Sequence, residues 1–133
     1  MHGPHLMVDA YECEPGAVRS LDNVYRFLDE LPAKIGMTKI TKPYLFFHKD
    51  RPEEEPGITG FVVIAESHIS IHTFPARGNY LTMDIYSCKD FDKGYVLSYI
   101  RKLFKPAKME HHHLVRGKHF AKHEVMAPVA AKA

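Results

Sequence analysis

His68, Ser70 and His72 alternate within five residues, and a cysteine, Cys88, follows about one strand later, a residue type that alone is more often a small buried hydrophobe than a reactive thiol. Imidazole, carboxylate and thiol groups can carry protons, and a hydroxyl can hydrogen-bond to them. Alternation sorts these groups. In the run 68–73, Ile69 and Ile71 point one way while His68, Ser70 and His72 point the other. In 80–88, Leu81, Met83 and Ile85 share one face, and Thr82, Asp84, Tyr86 and Cys88 take the opposite one. If the two strands pair through the turn at 75–79, then Ser70, His72, Asp84 and Cys88 gather on one surface of a sheet. A titratable stripe inside an apolar frame is a candidate site. The plainer meaning of such a stripe is the solvated side of a half-buried sheet.

Other chemistries find less support. His68, His72 and a cysteine could be imagined around zinc, but no CxxC or HExxH spacing accompanies them, and no metal is expected. His111, His112 and His113 alternate across a strand, so the three cannot face one ion; they read as a polar edge. Glu53, Glu54 and Glu55 read most simply as a solvated loop. Glycine-rich phosphate loops and a Gly-x-Ser-x-Gly elbow are absent from the sequence.

The elements that must hold these groups are legible from period and punctuation. A strand is expected over 5–13, closed by Glu14-Pro15-Gly16. A helix capped near Ser20 follows, with Leu21, Val24, Tyr25, Leu28 and Leu31 on one face, Pro32 in its last turn and Gly36 as its stop. Strands are expected over 38–47, 60–65, 68–73 and 80–88. A second helix starts at Asp90 or Asp92, carries Val96, Tyr99, Ile100, Leu103 and Phe104 inward, and ends before Pro106. A last strand covers 108–115. The expected fold is α+β: a two-layer sandwich with a mostly antiparallel sheet and two helices on one face. Residues 1–117 would form one domain and 118–133 a disordered polar tail. The uncovered sheet face suggests a homodimer.

Composition agrees with a folded enzyme-sized domain. The 133 residues are 45% hydrophobic and 26% charged, and 18 Lys+Arg against 16 Asp+Glu leave a net charge of +2. That balance gives no electrostatic footprint for nucleic acid. No stretch is apolar for the roughly 20 residues a bilayer requires, and the start lacks a signal-peptide plan, so a cytoplasmic protein with two reduced cysteines is expected.

The stretch Ala65-Glu66-Ser67-His68-Ile69-Ser70-Ile71-His72-Thr73-Phe74-Pro75 resembles the signature of the prokaryotic S-adenosylmethionine decarboxylases, self-processing pyruvoyl enzymes. The resemblance extends to Gly57-Ile58-Thr59-Gly60, to Met83-Asp84-Ile85-Tyr86-Ser87-Cys88, and to Gly3, His5, Leu6, Tyr11 and Cys13 near the start. It implies autocatalytic cleavage between Glu66 and Ser67. The Ser67 hydroxyl would attack the Glu66 carbonyl, and β-elimination from the ester would leave a covalent pyruvoyl group as the cofactor. It further implies His72 as base for the Ser67 α-proton, Cys88 as proton donor after decarboxylation of a Schiff-base-bound substrate, and Thr59 as a helper near the pyruvoyl. Thr59 and Ser70 are the substrate-binding candidates. The implied function is decarboxylation of the small molecule S-adenosylmethionine in polyamine biosynthesis. One departure bears on substrate: the family's Trp-Pro-Glu is Phe74-Pro75-Ala76 here, so the carboxylate that grips the ribose is missing. Arginine or ornithine as substrate, with Glu53–Glu55 meeting its cationic end, is therefore an alternative. An unprocessed, non-catalytic paralogue is another.

Overall fold

The computed structural model describes residues 3–119. It contains strands β1 (Gly3–Tyr11), β2 (Tyr44–His48), β3 (Gly57–Ile64), β4 (Ser67–Phe74), β5 (Tyr80–Ser87) and β6 (Lys108–Arg116). Helices α1 (Pro15–Arg19), α2 (Leu21–Lys34) and α3 (Lys93–Phe104) join them among the described residues. All six strands form one antiparallel sheet in the order β2-β3-β4-β5-β1-β6.

Period two decides what each strand buries. Leu6, Val8 and Ala10 of β1, Ile69 and Ile71 of β4, and Leu81, Met83 and Ile85 of β5 are all at most 1% exposed. They pack under Val24, Phe27, Leu28 and Leu31 of α2 and Val96, Ile100 and Phe104 of α3, the inward stripes of two amphipathic helices. The alternate residues of each strand form the outer sheet face, which no helix among the described residues covers. The expected two-layer α+β architecture is the observed one.

Capping chemistry sets the helix limits. Ser20 accepts from the Asn23 amide, and Asp92 rather than Asp90 caps α3 by accepting from Tyr95. The first helical segment is split in two. Pro15 opens a separate turn, α1, whose N-cap Glu14 accepts from Ala17 at 2.8 Å, and extended backbone at Ser20 divides it from α2. Pro32 lies inside the last turn of α2 and is tolerated there. The strand expected over 38–47 shrinks to β2. Pro43, which has no N–H to give a ladder, precedes it, and upstream only Lys39 bridges to Ile64. The expected tail lies, from residue 120 on, outside the described residues.

Gly57 is required by crowding at the start of β3. A Cβ there would lie 1.9 Å from the Thr73 carbonyl oxygen, so only glycine lets the two backbones meet.

Candidate active site

β3 and β4 are joined by the two residues Ala65 and Glu66, so the Glu66–Ser67 peptide sits at the tip of a tight hairpin. Several bonds pin that tip. The Ala65 amide donates to Thr38 O (2.8 Å), the Thr38 amide donates to the Glu66 carboxylate (3.3 Å), and the Cys88 amide donates to the Glu66 carbonyl oxygen (2.9 Å). The third matters for chemistry. It aims a fixed N–H at the oxygen that would gather negative charge if a nucleophile added to the Glu66 carbonyl. The nearest hydroxyl is covalently next door, on Ser67, and its Oγ lies 3.3 Å from His68 Nδ1.

Pairing of β4 with β5 sets Ser67 opposite Ser87, which puts Cys88 beside the hairpin tip. Cys88 is exposed, whereas Cys13 is buried with its thiol pushed up to about 11 by desolvation. The two thiols therefore differ sharply in access.

The other candidates occupy the far end of β4. Thr59 pairs directly with His72 across the β3–β4 ladder, and Thr59 Oγ1 and His72 Nδ1 are 3.0 Å apart. His72 lies five residue steps beyond Ser67 along the strand, a span of about 17 Å. Ser70 lies between them on the outer face, opposite Asp84. The polar stripe read from alternation is thus real, with Ser70, His72 and Asp84 on one surface, but it is divided between two ends of a strand.

From His72 a file of stacked rings crosses the outer face. His72–Phe74, Phe74–Tyr80 and Tyr80–Tyr11 have centroids 6.4, 5.5 and 5.4 Å apart. The Tyr80 hydroxyl donates to Asp9, and burial together with that bond pushes its pKa to about 12. Beside Thr59 opens a shallow cleft bordered by Thr73, Phe74, Ala76, Arg77 and the acidic loop. Two of the loop's three glutamates already have partners: Glu54 accepts from Arg77 at 2.9 Å, and Glu55 is held by Arg19.

Sequence reasoning did not foresee the Cys88 amide on Glu66, because a backbone donor leaves no residue-type signal. It also missed Tyr86 as a buttress. The Tyr86 ring stands 6.0 Å from that of His68, with the Arg116 guanidinium 3.9 Å from its centroid. Gly3 makes room for it: a Cβ there would come within 2.6 Å of the ring. Among the described residues no cluster of three or more His, Cys, Asp or Glu is arranged for a metal. No described helix is long and apolar enough to cross a membrane.

An open antiparallel sheet backed by helices on one face, with a serine at a pinned hairpin tip and an exposed thiol beside it, defines a class of small two-layer α+β protein. The S-adenosylmethionine decarboxylase family model matches residues 4–117, and the chain belongs to that family. It is accordingly a decarboxylase, a carboxy-lyase. The chain is 35% identical over 116 residues to an S-adenosylmethionine decarboxylase proenzyme of Methanococcus aeolicus, covering 86% of this chain and 93% of that one. It is 33% identical over 119 residues to a proenzyme of the same description from Clostridium botulinum strain Loch Maree, with coverage of 87% and 95%. The crystal structure of the adenosylmethionine decarboxylase from Aquifex aeolicus aligns with a TM-score of 0.72 at 28% identity, covering 86% of this chain and 90% of the other.

Proposed function

We propose that the chain is a self-processing decarboxylase acting on S-adenosylmethionine in polyamine synthesis, its pyruvoyl cofactor made from Ser67. The observation that carries this reading is the hairpin tip: a serine hydroxyl adjoining a carbonyl whose oxygen already accepts from the Cys88 amide. Attack by Ser67 Oγ converts the Glu66–Ser67 amide to an ester. Loss of the Ser67 α-proton then expels the Glu66 carboxylate and leaves dehydroalanine, and water converts it to a pyruvoyl group and ammonia. The products are chains of 1–66 and 67–133. The ketone so formed supplies an electron sink for the charge left by CO₂ loss. Cys88, exposed beside residue 67, is suited to return a proton to the substrate carbon.

His72 takes the α-proton in this scheme, yet about 17 Å of strand lies between it and Ser67. A second copy resolves the distance. The outer face is uncovered and exposes Tyr44, Phe46, Phe61 and Leu114, large apolar groups that a partner would bury. Two-fold pairing across that face carries His72 and Thr59 of one protomer to Ser67 of the other, completing two sites at once. Thr59 orients the imidazole through its hydroxyl, and Ser70 lines the path between the two ends.

Resolving the purified protein on a denaturing gel and assaying CO₂ release tests the reading. Two fragments of about half the 15.2 kDa chain, with turnover of S-adenosylmethionine, are expected. An intact chain that releases no CO₂ would make it a non-catalytic relative. Release from arginine or ornithine alone would keep the chemistry and replace the substrate.

A further inference from the structure

We propose that His68 is the base of the first processing step, taking the Ser67 hydroxyl proton as that oxygen attacks the Glu66 carbonyl. This inference rests on the self-processing reading and divides its work between two histidines. His68 Nδ1 is 3.3 Å from Ser67 Oγ, close to the reach a general base needs before a reaction tightens the contact. His72 is five residues farther along the strand and bonded to Thr59 instead. Among the described residues, His68 carries the imidazole that meets the nucleophile within its own protomer.

The surroundings hold the ring at its task. Tyr86 stands against the His68 ring, itself fixed between the bare Gly3 backbone and the Arg116 guanidinium. On the other side of the scissile carbonyl, the Cys88 amide already bonds the oxygen. Base, nucleophile and oxyanion donor thus converge on one peptide.

The step balances without any co-reactant. The Ser67 Oγ–H proton passes to His68 Nδ1 as the bond from Oγ to the Glu66 carbonyl carbon forms. The oxyanion that results is held by the Cys88 N–H. Collapse breaks the bond from that carbon to the Ser67 nitrogen, and His68 returns the proton to the leaving nitrogen. The result is an ester and a free amine. Removal of the α-proton belongs to the next step and to His72.

The two roles leave different stalled species, which a time course of chain cleavage can tell apart. His68→Ala is expected to slow conversion of the intact chain by about 10²–10⁴-fold, the usual worth of a positioned base. Its uncleaved chain should resist hydroxylamine, since no ester has formed. Because the site must admit a small-molecule substrate, added imidazole should reach the space left by the ring and restore the rate. His72→Ala should instead accumulate a chain that hydroxylamine splits. His68→Asn, which keeps a polar group of similar reach, should be as slow as His68→Ala and equally rescued. Wild-type cleavage rates in both His68 variants, or a hydroxylamine-labile chain in them, would overturn the assignment. So would slow cleavage that imidazole fails to restore in variants melting like wild type, since His68 would then only hold the hairpin. Failure of the wild-type chain to cleave at all, or cleavage of Ser67→Ala, would sink the self-processing reading itself rather than the role of His68.

Discussion

The two ends of β4 are built on opposite plans. At the Ser67 end, hydrogen bonds from Thr38 and Cys88 and to Thr38 fix a hairpin tip in space, and a serine hydroxyl, an imidazole and a backbone donor are grouped there within one protomer. At the His72 end, the imidazole is held by Thr59 and stacked on Phe74 on the outer face of an open sheet, about five strand residues from the hairpin tip. In the proposed function, one end is complete and the other is offered to a partner. The contrast teaches that a reactive residue's address in the fold can matter as much as its type. A histidine five residues from a serine is near in sequence and remote in space whenever the chain between them is extended.

The largest expected effect breaks the first end outright. Ser67→Ala should abolish cleavage while leaving the melting temperature within a few degrees of wild type, since the change removes one hydroxyl at a partly exposed turn. Fragment formation on a denaturing gel checks it, and normal processing would remove the nucleophile from the account.

Mixing the ends comes next. If His72 serves the partner's serine, co-expressing Ser67→Ala with His72→Ala should restore cleavage to the His72→Ala chain in mixed dimers. That chain keeps Ser67 and borrows an intact imidazole. Mass spectrometry of the mixture reads the outcome, and an uncleaved His72→Ala chain in proven mixed dimers would mean that the base acts within its own protomer.

A smaller effect separates the two thiols. Iodoacetamide at neutral pH should label Cys88 and spare Cys13, whose thiol is buried and pushed up to about 11. Equal labelling of both under native conditions would contradict the packing of Cys13 behind β1.

The smallest concerns substrate. Ala76→Glu would put a carboxylate into the cleft beside Thr59 and Arg77. A hydrogen bond to a charged group is worth about 1.5–3 kcal/mol, so the ratio of kcat/KM for S-adenosylmethionine over arginine should rise about ten- to a hundredfold. An unchanged ratio would mean that position 76 does not read the substrate.

Much of this was legible in residue order. Alternation in β4 and β5 correctly divided Ile69, Ile71, Met83 and Ile85 from Ser70, His72 and Asp84, because a strand's period leaves no choice of face. Caps and stops located α2 and α3 for the same local reason. The strand over 38–47 was over-read although Pro43, with no N–H for a ladder, already argued from the sequence for a break there. The separation of His72 from Ser67 follows from strand geometry once β4 is known to be continuous. Alternation alone says which face a group takes and is silent on how far apart two groups stand. The Cys88 amide on Glu66 depends on register between strands and a backbone donor, neither of which side-chain identities encode.

The strand order has a further consequence for a chain cut after Glu66. Such a cut assigns β1, β2 and β3 to one piece and β4, β5 and β6 to the other, three strands each. The pieces do not sit side by side as separable halves. β1 of the first lies between β5 and β6 of the second, with ladders on both edges, while β3 pairs with β4 across the severed turn. The two polypeptides would be woven together like warp and weft, and neither could slip free without dismantling the sheet. A protein of this topology can spend its own backbone as a reagent and still keep its shape.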